Sequence, residues 1–110
     1  MILLLYKNMK VSEKMTSKQR AYLRGLAQNI KPIFQIGKTG TTENQIEQIA
    51  NALEARELIK ITFLDTIPDE KNNIAEEIAA KTNSEIVQII GKKLTLYKRS
   101  EDKPKIELPR

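Results

Sequence analysis

Between residues 17 and 30 the apolar side chains Tyr22, Leu23, Leu26, Ala27 and Ile30 return every three or four positions, which is the spacing of one helical face. Thr16-x-x-Gln19 just ahead of them can close a capping box, and Pro32 ends the run. Ile33-Phe34-Gln35-Ile36 is short and β-prone. A second Thr-x-x-Gln, Thr42 to Gln45, opens another helical stripe of Ile46, Ile49, Ala50 and Leu53. From Glu57 to Leu64 the period changes to two, with Ile59, Ile61 and Phe63 on one side of a strand and Lys60 and Thr62 on the other. Pro68-Asp69 predicts a third helix start, Ile74, Ala75, Ile78 and Ala79 its apolar stripe, and Asn83 its stop. Residues 84–90 and 93–98 read as two strands joined by Gly91-Lys92, a two-residue loop with glycine first that suits a type II′ hairpin.

The predicted order is therefore α-β-α-β-α-β-β, an α/β two-layer sandwich on a four-stranded mixed sheet with right-handed crossovers. Residues 15–99 read as one domain, and 1–14 as an N-terminal extension, frayed or loosely docked. Residues 100–110 are polar, charge-balanced and carry Pro104 and Pro109, which predicts a C-terminal tail.

Composition narrows the chemistry. The 110 residues include no cysteine and no histidine, which removes disulfides, thiolate or imidazole metal sites and Cys-His or Ser-His nucleophiles. The apolar opening Met1-Ile2-Leu3-Leu4-Leu5-Tyr6 lacks a basic leader and no long apolar run follows, so a cytoplasmic protein off the membrane is expected. Carboxylates do not converge either. Glu57 and Asp65 stand at opposite ends of one predicted strand, and Glu76 and Glu77 diverge around a helix. No catalytic residue, metal or cofactor is expected.

Net charge is +5, but its distribution is more informative. Lys18, Arg20, Arg24, Lys31 and Lys38 are unopposed from Met15 to Thr42, and Lys92, Lys93, Lys98 and Arg99 are unopposed between Ile86 and Arg99. Asp65, Asp69, Glu70, Glu76, Glu77 and Glu85 dominate the stretch between. Such segregation predicts one electropositive side facing a polyanion. Arg20, Arg24 and Lys31 form a basic ridge along the flank of the first helix's stripe. The ridge, the glycine-containing loop Gly37-Lys38-Thr39-Gly40 and the hairpin tip are expected to share one side of the molecule.

Gly-Lys-Thr within that loop is also the end of a nucleotide-binding P-loop, whose first glycine should stand five residues earlier, where this chain has Pro32. The dinucleotide pattern fails as well, because Thr39 occupies its second glycine position. What remains is G-x-x-G between a strand and a capped helix. Its glycines relax backbone and steric limits, Lys38 adds a charge, and the helix start adds N–H groups suited to a phosphate. A loop of this kind can clamp a sugar-phosphate backbone.

Gly25-Leu26-Ala27, Lys31-Pro32, Ile36-Gly37-Lys38-Thr39-Gly40, Glu57-Leu58-Ile59-Lys60, Val87-Gln88-Ile89-Ile90-Gly91 and Leu96-Tyr97-Lys98, in this order, resemble the CRM domain family, in particular its YhbY-like bacterial members. The resemblance runs from Met15 to Arg99, and Ile106-Glu107-Leu108-Pro109-Arg110 is similar to the close of some members. It implies a fold similar to the C-terminal domain of translation initiation factor three. It also implies RNA binding through the GxxG loop and flanking basic residues, and association with precursors of the large ribosomal subunit, without catalysis. Two positions depart from the pattern: Thr41 stands where an aliphatic residue is common, and Lys98 where arginine is usual, which keeps the charge but loses the bidentate fork.

The expected function is therefore that of a monomeric RNA-binding protein acting on ribosomal RNA in ribosome assembly. Gly37, Lys38, Thr39, Gly40, Arg20, Arg24, Lys31, Lys92, Lys93, Lys98 and Arg99 are its candidate contacts. Aromatic content is only 5%, and Phe34, Phe63 and Tyr97 fall in or beside the sheet, which argues against a stacking platform. The alternative is a protein-interaction adaptor that docks a partner on the acidic third helix.

Overall fold

The computed structural model describes residues 15–37, 41–64 and 71–109. The N-terminal extension, Lys38-Thr39-Gly40 and the predicted helix start at Pro68-Asp69 lie outside these residues. Helix α1 spans Ser17–Ala27, strand β1 Pro32–Ile36, helix α2 Glu43–Arg56, strand β2 Leu58–Phe63, helix α3 Lys71–Thr82, strand β3 Glu85–Ile90 and strand β4 Lys93–Tyr97. Among the described residues this is the expected order of three helices and four strands. No helix there is long and apolar enough to cross a membrane.

Thr16 and Gln19 close the reciprocal capping box at the start of α1, each accepting the other's backbone N–H at 3.1 Å. The helix ends earlier than its apolar stripe. After Ala27 the N–H groups of Gln28, Asn29 and Ile30 donate to carbonyls three residues back, a tightened last turn that leads into Pro32. The box expected on α2 is only half formed. Thr42 accepts the Gln45 N–H at 3.1 Å, while the Gln45 side chain donates to the Gln35 carbonyl at 3.0 Å and ties the first turn to β1. At the other end of α3, Asn83 adopts φ 58, the left-handed stop that asparagine tolerates best after glycine.

The sheet order is β1-β2-β4-β3, with β1 and β2 parallel and the other pairs antiparallel. Alternation along β2 separates two cores. Ile59, Ile61 and Phe63 join Ile49 and Leu53 of α2 and Ala75 and Ile78 of α3 on one face. Leu58, with Tyr97 and Val87, meets Leu23 and Ala27 of α1 on the other. The sandwich of α2 and α3 on the sheet is thus completed by a third element, α1, which covers part of the opposite face.

Residues 100–109 are held against the body chiefly through two acids at the end of α2, Glu54 and Glu57. Glu57 follows α2 with φ 68, its N–H still donating to Leu53 O at 2.7 Å, and its side chain is fully buried. The carboxylate accepts the backbone N–H groups of Ser100, Lys105 and Ile106 at 2.7–2.8 Å. Neighbouring Glu54 accepts the Ser100 hydroxyl and the N–H groups of Glu101 and Asp102. Ile106 and Leu108 then pack on the α1 core.

Candidate nucleic-acid interface

Because β1 and β2 run parallel, their C-terminal ends lie side by side. The Leu64 N–H donates to Ile36 O at 2.8 Å, which brings the residue after β2 alongside Gly37. The Phe63 N–H donates to Lys92 O at 2.7 Å, so the β3–β4 turn abuts the same end of β2. Lys93 pairs with Thr62. The start of the glycine loop and the hairpin tip therefore occupy one end of the sheet, separated by β2 alone, which at ordinary strand spacing is about 10 Å.

The loop's first glycine is not there for its dihedral freedom. Gly37 does not have a left-handed φ, and a Cβ built on it would meet Leu64 Cδ1 at 3.9 Å, an ordinary contact. What its bare Cα offers is an unobstructed approach to the backbone. Gly91 is the contrasting case: its φ of 58 is the value required of the first residue of a type II′ turn. Lys71 Nζ steadies this turn through Gly91 O at 2.6 Å. Helix α2 points its N-terminus at the same end of the sheet, so its leading N–H groups and positive dipole face the loop. Glu43 in its first turn offsets part of that field.

The rest of the predicted site is distributed elsewhere. Arg20 does not join the loop. Its guanidinium donates to the carbonyls of Ile86 and Val87 on edge strand β3, the latter at 3.4 Å, where a bulge leaves the ladder irregular. Arg24 is exposed on α1, which crosses the half of the sheet bearing Leu58 and Tyr97. Lys31 is exposed ahead of β1, the length of that strand away from Gly37. Lys98 and Arg99 follow β4 at the end opposite the hairpin tip, and Lys98 is drawn into an ion pair with Glu101 at 3.6 Å beside the docked tail. The expected single basic side thus resolves into Gly37, Lys92 and Lys93 at one end and the remaining cations at other places. Lys38, Thr39 and Gly40 continue the loop outside the described residues.

Two features go beyond what the sequence alone indicates. Lys60 and Thr62 lie on the second side of β2, but α1 covers only part of that side, and both remain partly exposed. The signal was there, because a strand with polar residues at alternate positions has one face without a core to fill. Glu57, expected at the start of the strand, instead precedes β2 and receives the C-terminal segment.

The electrostatics also differ at the two ends of the sheet. Burial pushes the Glu57 carboxyl up, but the N–H groups of Ser100, Ile106 and Lys105, with the Arg99 charge, more than offset it and hold the acid below its ordinary value. The Ser100 hydroxyl, then the N–H groups of Glu101 and Asp102, hold Glu54 low as well. Burial, and after it the Glu57 charge, raise the Tyr97 phenol. Among the described residues the loop end contains no such acid cluster, and no group of His, Cys, Asp or Glu is arranged to hold a metal.

The model of the CRS1 / YhbY (CRM) domain matches residues 15–98. The chain belongs to the CRM family. Its relatives include the Bacillus subtilis protein named "Probable RNA-binding protein YqeI", 47% identical over 95 residues that span 86% of this chain and 99% of the relative. A Haemophilus influenzae protein named "RNA-binding protein" is 38% identical, over 87% of this chain and 96% of its own. The solution structure of the Staphylococcus aureus hypothetical protein SAV1595, titled a putative RNA binding protein, superposes with a TM-score of 0.75 at 50% identity, covering 86% of this chain and 99% of that one.

Proposed function

We propose that this CRM domain binds RNA through its sugar-phosphate backbone, using the Gly37–Gly40 loop and the Lys92-Lys93 hairpin tip as two neighbouring phosphate contacts. The observation that carries the reading is the convergence of the β1 end, the α2 N-terminus and the β3–β4 turn at one end of the sheet. Relatives that share 47% and 38% of their residues with this chain are named for RNA binding, which supports the same polyanion. The ligand we infer is ribosomal RNA of a large-subunit precursor, bound by a monomer in the cytoplasm during ribosome assembly, as the CRM resemblance implies. Arg24, Lys31, Lys98 and Arg99 are then peripheral contacts that steer a long RNA toward the loop.

The adaptor alternative has less support. Glu77 on α3 is paired with Lys81 at 2.7 Å, an ordinary i,i+4 pair on a solvated helix face. Crosslinking the protein to RNA in cells, sequencing the bound RNA, and repeating with Lys38, Lys92 and Lys93 neutralised tests the proposal. Recovery of ribosomal RNA that is lost in the variants is the expected outcome. Unchanged crosslinks would remove this end of the sheet as the site, and partner capture that survives nuclease would favour the adaptor.

A further inference from the structure

Strand register divides the α1 face of the sheet into cross-strand rows. Leu58 and Tyr97 form a row beneath α1. The next row runs Pro32, Lys60, Thr95 and Gln88, and the last runs Gln35, Thr62, Lys93 and Ile90. Among the described residues α1 packs on the first of these rows; in the next Thr95 is buried while Pro32, Lys60 and Gln88 keep some exposure, and in the last Gln35, Lys93 and Ile90 are exposed and Thr62 is half-buried. The open positions offer two lysines, amides and a hydroxyl but no carboxylate. They begin beside Gly37 and end at the hairpin, spanning the sheet's width of about 15 Å.

Two aliphatic side chains at this end have no core to enter. Ile90 is 65% exposed at the end of β3, and Leu64 is 44% exposed beside Gly37. Alternation from the buried Phe63 and from Ile89 turns both onto this same face. A paired RNA helix presents phosphates and sugars outward and keeps its base faces stacked inside, so it offers such side chains little apolar area. Unpaired nucleotides offer both base faces for Leu64 and Ile90 and free base edges for Gln35 and Gln88.

We propose that the exposed positions of these two rows are a contact surface for unpaired nucleotides, which cross the sheet from the Gly37 end to the hairpin with Lys60 and Lys93 flanking their phosphates. The surface deepens the RNA-binding reading and rests on it. It has no aromatic ring, so it favours unpaired over paired RNA with little preference among bases.

The test measures the affinity of the full chain by fluorescence anisotropy for two labelled RNAs of equal length, a stem with a large unpaired loop and a blunt duplex. The Leu64→Ser, Ile90→Ser double variant is expected to bind the loop RNA about five- to tenfold more weakly, as for loss of two aliphatic contacts, with duplex affinity and salt slope unchanged. Ile90→Ser alone, at the more exposed position, is expected to show a smaller loss on the loop RNA and an unchanged unfolding midpoint. No loss on the loop RNA, or equal loss on both RNAs from a folded variant, overturns the proposal while leaving RNA binding intact. A wild-type chain that binds neither RNA overturns the underlying reading as well.

Discussion

The Glu57 carboxylate and the Ile106 N–H meet at 2.8 Å across 49 positions of sequence. Through this bond and those to Ser100 and Lys105, Glu57 ties the C-terminal segment to the end of α2 and places Ile106 and Leu108 on the α1 core. A group whose folded pKa is depressed stabilises the fold above its unfolded pKa, and that contribution is lost as pH falls through the folded value. Glu57 is such a group. Urea unfolding of the wild type is therefore expected to lose stability below the ordinary glutamate range near pH ~4.3. Glu57→Gln is expected to cost about 1–3 kcal/mol at pH 7, since it leaves buried N–H groups without acceptors, and to flatten the acid limb. A variant with wild-type stability and an unchanged acid limb would contradict this role.

Arg20 and Arg24 lie one helical turn apart and are expected to respond differently. Arg20→Ala removes the bonds to Ile86 and Val87 and should cost about 1–2 kcal/mol of folding stability. Arg24→Ala, at an exposed position, should stay within about 0.5 kcal/mol of wild type. Chemical denaturation of the two variants side by side checks this, and equal effects would mean that the Arg20 contacts are energetically idle.

Phosphate contact at the loop end predicts salt-dependent RNA binding. With about five contacts, log K should fall against log salt with a slope near −3.5 to −4.5, and Lys93→Ala should reduce its magnitude by roughly 0.7 to 0.9. Lys98→Ala, already paired with Glu101, should change it less. Titrations across a salt series measure both slopes, and a salt-independent affinity would exclude the phosphate clamp.

Thr42 caps the helix that faces the loop. Thr42→Ala is expected to cost about 0.5–2 kcal/mol, and Thr42→Ser to recover most of it, because the side-chain oxygen that accepts the Gln45 N–H is retained. Thermal or urea unfolding of the pair provides the check.

Local patterns carried most of the architecture. The α1 box, the alternation in β2, the Asn83 stop and the Gly91 turn are determined by residues close in sequence, and each appears where expected. The convergence of Gly37 and Lys93 also follows from topology, because parallel neighbours share an end and a hairpin folds back to it. Which sheet face α1 would cover did not follow. An apolar stripe shows that a helix is buried on one side without naming the surface beneath it. For the same reason Arg20 read as a solvent-facing cation although its partners are carbonyls on β3, far along the chain. The half-formed box at Thr42 shows the competition directly, since Gln45 can satisfy either its own helix or strand β1, and packing selected the strand.

Strand β3 is an outer strand of the sheet, a position where free carbonyl and N–H groups invite a foreign strand to zip on. In this molecule the bulge after Ile86 breaks the repeat, and the Arg20 guanidinium occupies two of the carbonyls that such an intruder would need. The arginine that leaves the basic ridge thereby acts as a guard against self-templated aggregation.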